Sequence, residues 1–204
     1  MSMRGILDRL AEQAKTEPVY WNTDFPPSMY YRFLALLANE FKPQLSVELG
    51  VSGGGGSLHL ALGHTSKVVG IDFQRDHEER IAYIENTYPN FEFMLHDSTT
   101  AAPKVFEKYG KVDLLFIDTD HTYDRTIQEF NAWKPYLSDR AIVCFDDLLR
   151  HHPDDKKSMS DAFNDIKGFK ARYDHLHDGS YPHGGGFGVM YFNPVLVNRC
   201  KSCG

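Results

Sequence analysis

The chain is poor in cysteine: three residues in 204, an odd number. That excludes a disulfide framework and points to a reducing cytoplasm. It lacks any run approaching the roughly 18 apolar residues of a membrane span. It also lacks a basic excess. Lys and Arg number 22 against 28 Asp and Glu, a net charge of −6, so the basic face of a duplex-binding protein is not expected. The opening MSMRGILDRLAEQ carries Asp8 and Glu12 where a secretory leader would be apolar, so no secretory address is expected. There is no internal repeat, low-complexity stretch or interdomain linker. What remains is an ordinary globular composition, 42% hydrophobic and 25% charged, in a chain long enough to bury a core without disulfides or structural metal.

Up to about Lys42 the pattern is helical. Ile6, Leu7 and Leu10 recur at helical spacing, and Tyr30, Phe33, Leu34 and Leu37 stripe a second helix that stops before Pro43. Between them lies a connector rich in proline and aromatics, including Tyr20 and Trp21. From Leu45 the text alternates. Strands are expected at 45–49, 68–72, 91–95, 112–117 and 141–145, and near 171–175 and 186–192. Helices are expected at 57–62, 78–88, 103–109 and 159–169, with a further one striped by Ile127, Phe130, Trp133 and Leu137. Strands alternating with helices predict an α/β fold: a Rossmann-like, doubly wound, mostly parallel seven-stranded sheet. We divide the chain into an N-terminal helical extension or lid, 1–42, and a core, 43–204.

The first strand runs into Gly50-Val51-Ser52-Gly53-Gly54-Gly55-Gly56-Ser57. Glycines between strand and helix allow close backbone approach, and the helix N-terminus attracts an anion, either a pyrophosphate or an amino-acid carboxylate. The dinucleotide spacing G-x-G-x-x-G is not met. Glu48 at the strand end would repel phosphates and suits a cofactor with a cationic part. Asp72, about 20 residues on at the end of the second strand, is placed to accept from ribose hydroxyls. Ribose, amino-acid carboxylate and cation together describe S-adenosylmethionine. The plainer reading makes Glu48 a turn cap and Asp72 a solvated strand end.

Val47-Glu48-Leu49-Gly50 with its glycines and Ser57 resembles motif I of class I S-adenosylmethionine-dependent methyltransferases. Ile117-Asp118-Thr119-Asp120-His121-Thr122-Tyr123 with Phe145-Asp146-Asp147 resembles the branch containing macrocin- and novobiocin-type O-methyltransferases and cephalosporin-hydroxylase-like proteins. The resemblance implies a last strand lying antiparallel at the sheet edge. It places Asp72 on the ribose and Asp97 and Ser98 against adenine. Ser57 stands one residue later than in the family pattern. Glu48, Gly50, Ser52, Gly54, Ser57, Asp72, Asp97, Ser98 and Asp118 are the expected cofactor residues.

Asp118 ends the fourth strand and Asp146-Asp147 the fifth, so three carboxylates converge beside the glycine loop. Such a trio repels itself unless a cation or protons intervene, and oxygen-only donors suit Mg²⁺. A metal on Asp118, Asp146 and Asp147 would activate one of two neighbouring hydroxyls of a sugar or catechol-like acceptor. His121 is the candidate base, with Asp118 the second catalytic candidate. The alternatives are a metal-independent methyltransferase with His121 as base, a nicotinamide-dependent oxidoreductase, or a non-catalytic cofactor-binding module. The acceptor is expected to be a small molecule, with neither nucleic acid nor membrane as partner. The Cys200/Cys203 pair has no second ligand pair to make a zinc site and reads as a tail.

Overall fold

The structure is a computed structural model, and it describes residues 2–16, 29–63, 66–150, 156–176 and 185–192. Two helices open it, α1 (Met3–Thr16) and α2 (Met29–Phe41). Then come β1 (Leu45–Leu49), α3 (Gly55–Leu62), β2 (Lys67–Asp72), α4 (Glu78–Thr87), β3 (Phe91–Leu95), α5 (Ala102–Tyr109), β4 (Val112–Ile117) and α6 (Tyr123–Trp133). The chain closes with β5 (Leu137–Phe145), α7 (Met159–Asp165), β6 (Phe169–Tyr173) and β7 (Phe187–Tyr191). Among the described residues these strands make one seven-stranded sheet in the order β3-β2-β1-β4-β5-β7-β6. The first five strands are parallel, and β7 is antiparallel to both β5 and β6.

The apolar runs follow from covering both faces of a parallel sheet. In β4, Leu114 and Phe116 join a cluster with Leu7, Leu10, Phe33, Leu34 and Leu37 from α1 and α2. Leu115 and Ile117 point the other way and pack with Val105, Phe130, Trp133 and Phe163 from α5, α6 and α7. Local chemistry sets the helix ends. Pro103 occupies the first turn of α5, Thr122 caps α6 by accepting from the Arg125 amide, and Ser158 and Asp161 form a capping box on α7.

Three expectations need correction. Leu137 does not extend the helix before it. Pro135 sits in a tight turn, Lys134–Tyr136, that ends α6, and Leu137 starts a fifth strand four residues longer than expected. The helix begun at Met159 ends at Asp165, and Phe169 belongs to β6. The last strand is antiparallel but does not hold the edge; β7 lies between β5 and β6.

At the carboxyl end of β1 the chain turns through Gly50, whose φ is +85°, with its amide donating to the Ile71 carbonyl. A Cβ there would stand 2.1 Å from the Asp118 carbonyl oxygen. Only glycine serves, on both conformational and steric grounds. Gly50→Ala is expected to cost about 2–4 kcal/mol of stability, read as a lowered denaturation midpoint at unchanged slope.

Candidate active site

The loops after β1, β2, β3 and β4 enclose a cleft lined by Gly50, Ser52, Asp72, Ser98, Asp118 and Arg125, among others. It opens at the carboxyl ends of the strands, where an open parallel sheet reverses its order. Asp72 builds its near wall. One carboxylate oxygen accepts from the amides of Val51 and Ser52, at 2.9 and 3.1 Å, and so pins the glycine loop. Among the described residues five non-glycines have positive φ, and Ser52, His121 and Asp147 are three of them. Strained backbone thus gathers on the loops of three neighbouring strands, β1, β4 and β5.

Gly50, Ser52, Asp72, Ser98 and Asp118, all expected to touch a cofactor, border this cleft. Glu48, Gly54, Ser57 and Asp97 are placed otherwise. Glu48 is buried beneath the first turn of α3 and accepts a hydrogen bond from the Ser57 hydroxyl. A Cβ on Gly56 would lie 2.1 Å from a Glu48 oxygen, so the helix rests directly on this acid. Gly54 caps α3 in the left-handed conformation and packs against Ile81 and Ile84. The side chain of Asp97 is half exposed and accepts from the Thr99 amide at 2.8 Å.

The acids of β4 and β5 do converge. Asp118 and Asp146 are hydrogen-bonded to each other, and burial raises both well above the usual carboxylate range, with neighbouring acids adding to the rise. His121 places Nε2 3.7 Å from Asp118 Oδ1 and 3.8 Å from Asp147 Oδ2, within a single electrostatic neighbourhood. Asp147 is engaged elsewhere: Oδ1 accepts from the Gly185 amide at 2.7 Å, and Arg150 lies 3.5 Å from Oδ2.

The donor set is of the kind a hard cation takes, but its arrangement is not. Asp118 and Asp146 are hydrogen-bonded to each other while Asp147 faces Gly185 and Arg150. Among the described residues no three His, Cys, Asp or Glu side chains are gathered to hold a metal ion. The expected magnesium trio thus comes together in the fold without forming a cage.

Several site residues escaped the sequence reading. Thr119, Asp120 and Arg125 line the cleft, as do Phe73, Gln74 and Asp76 beyond Asp72. Phe73 is 68% exposed, an unusual setting for a large apolar ring. Tyr30, read as part of a core stripe, and Tyr31 stand near the acid pair; their hydroxyls are raised by burial first, and Asp118 and Asp146 contribute. The spacing of Arg125 and Glu129, one helical turn apart, was the available signal for the α6 contribution. Tyr20, Trp21, His151, His152, Cys200 and Cys203 lie outside the described residues.

A family model described as a methyltransferase domain matches residues 47–148. The O-methyltransferase from Bacillus cereus in complex with S-adenosylhomocysteine (SAH) is a structural neighbour. It is 16% identical with a TM-score of 0.65, over 95% of this chain and 93% of that one. TomG, an O-methyltransferase from Streptomyces achromogenes involved in tomaymycin synthesis and solved with S-adenosylmethionine (SAM), is 17% identical with a TM-score of 0.63, over 92% and 89%. An rRNA methylase from Streptococcus thermophilus is 15% identical with a TM-score of 0.59, over 85% and 99%. At such identities the likeness is one of fold. No curated protein matches this sequence.

Burial pushes the Glu48 carboxyl up to about 8 despite its bond from Ser57. A folded pKa above the unfolded value near 4.5 stabilises the fold most at low pH, and that contribution is lost as pH climbs to about 8. Glu48→Gln removes the dependence. The melting temperature of the variant minus that of the parent is expected to rise steadily from about pH 5 to pH 8; a pH-independent difference would show that Glu48 carries no retained proton.

Proposed function

The chain belongs to this methyltransferase domain family, and from that premise we propose that it transfers a methyl group from SAM to a hydroxyl of a small molecule. One observation carries the reading: a buried, hydrogen-bonded acid pair and a histidine stand together at the end of a cleft bordered by Gly50, Ser52 and Asp72. When bound, SAM supplies a methyl group on a sulfonium, ready for in-line attack. The residues fit it. Gly50 gives open backbone, Asp72 offers a carboxylate toward ribose hydroxyls while holding the loop, and Ser98 faces the nucleoside end.

The acceptor oxygen must lose its proton as it attacks. His121 receives it, and the neighbouring carboxylates Asp118 and Asp147 stabilise the imidazolium that results. Two carboxyl groups side by side suit an acceptor with two neighbouring hydroxyls, on a sugar or a catechol-like ring. Tyr30 and Tyr31, with ring centroids 4.3 Å apart, supply an aromatic surface near them. Net charge −6 argues for such an acceptor rather than a nucleic acid. The same reading places the protein in a reducing cytoplasm, where the buried free thiol of Cys144 is stable; no helix among the described residues is long and apolar enough to cross a membrane.

A second reading adds Mg²⁺ to the site, favoured by three oxygen donors at adjoining strand ends. Chelation separates the two. Methyl transfer to diol-bearing sugars and catechols that survives EDTA supports His121 acting without metal; loss on chelation with recovery on added Mg²⁺ selects the second reading. Calorimetry is expected to show micromolar SAH binding and none of NAD, and the reverse would overturn methyl transfer.

His121→Asn keeps a side chain that tolerates the left-handed backbone, φ +56° here, and removes the base. It is expected to lower kcat by about 10²–10⁴-fold with SAH affinity unchanged. A variant with parental kcat would remove His121 from the chemistry.

A further inference from the structure

Behind the nucleoside end of the cleft lies a buried acid that touches no part of the cavity. Glu129, on α6, is 0% exposed. Its carboxylate accepts from the hydroxyl of Ser98 at 2.5 Å, from the hydroxyl of Thr119 at 2.8 Å and from Arg125 Nε at 3.0 Å. Arg125 then donates through Nη2 to the Ser98 hydroxyl at 2.8 Å and lies 3.4 Å from Asp97. Ser98, Thr119 and Arg125 all line the cleft, while Glu129 itself does not. They come from three separate elements: the loop after β3, the loop after β4, and α6. The indole of Trp133, one turn further along α6, donates to the Ser98 carbonyl at 2.7 Å and fixes the same loop from its backbone side.

We propose that Glu129 is a positioning residue for the nucleoside half of the cofactor, holding Ser98, Thr119 and Arg125 in the wall that receives it. The inference rests on the reading of the cleft as a SAM site. A carboxylate can accept from three donors at once; no neutral residue of the same size offers that many acceptors to three fixed groups. Burial of the acid makes each bond count, because a donor left unmet in this setting is costly. Burial raises the Glu129 carboxyl while the three donors pull it down, with Arg125 the one cationic partner.

The test uses Glu129→Gln, which keeps size and loses one acceptor, and Glu129→Asp, which keeps charge and shortens the reach. SAH binding is measured by calorimetry, and KM for each substrate and kcat by methyl transfer. Both variants are expected to bind SAH at least about tenfold more weakly and to raise KM for SAM similarly. The acceptor KM, and kcat at saturating SAM, should stay within about twofold of the parent. Arg125→Lys, which retains a cationic donor, should recover most of the affinity that Arg125→Met loses. Parental SAH affinity in both Glu129 variants would overturn the proposal, and so would a uniform loss of kcat, both KM values and thermal stability, which marks a residue needed only for folding. Should the parent protein itself not bind SAH, the reading of the cleft falls instead.

Discussion

Negative charge buried at the tips of neighbouring strands is the constraint that the rest of this structure obeys. Glu48, Asp118 and Asp146 end or nearly end β1, β4 and β5, three strands that lie side by side. For all three, burial is the leading cause of a raised pKa, and each counts at least one other acid among the further causes. Three ionised carboxylates at such spacing would repel one another and lose their hydration together. The fold meets this with hydrogen bonds. Glu48 is met by the Ser57 hydroxyl, and Asp118 and Asp146 by each other.

The surrounding backbone is shaped to sustain that burial. Gly50 lets β1 turn against the Asp118 carbonyl, and Gly56 lets α3 settle on Glu48. Both are places where an ordinary side chain would force the acids and their loops apart. Asp147, one residue past the pair, adopts φ +51° and reaches Gly185 rather than its neighbours, which keeps a third charge from entering the pair directly. From the N-terminal side, Tyr31 lies over Gly55 and stacks on His59, with ring centroids 5.2 Å apart. Helix α2 thereby reaches the site with aromatic groups.

Much of the fold was legible because its signals are local. The bounds of Val112–Ile117 and Phe91–Leu95 match the expected ones, since each run is closed at both ends by polar or turn-forming residues. Leu137 was misplaced because its spacing from Trp133 fits a helix, and only the Pro135 turn breaks the period. The acids at strand ends were legible for the same local reason. Their roles were not, because orientation is a tertiary property. Glu48 has the right position in the chain to face a ligand, yet it points under α3. For Glu129 the chain shows only the helical spacing to Arg125; its other partners, Ser98 and Thr119, lie 31 and 10 positions away.

Glu129 and the strand-tip acids show two opposite treatments of buried carboxyls within one cleft. For Asp118 and Asp146 the leading neighbours are other acids, so each holds a proton more tightly than an ordinary carboxyl. At Glu129 the neighbours are two hydroxyls and a guanidinium, all donating, so the carboxyl serves as an acceptor that organises them. The first arrangement is suited to chemistry, because a histidine stands 3.7 Å from Asp118 and 3.8 Å from Asp147. The second is suited to binding, because three elements of the fold are held in fixed relation whatever approaches. The cleft thus divides by the sign of its buried surroundings: an acid-rich end where β4 and β5 meet, and a donor-saturated end where α6 braces the loops after β3 and β4.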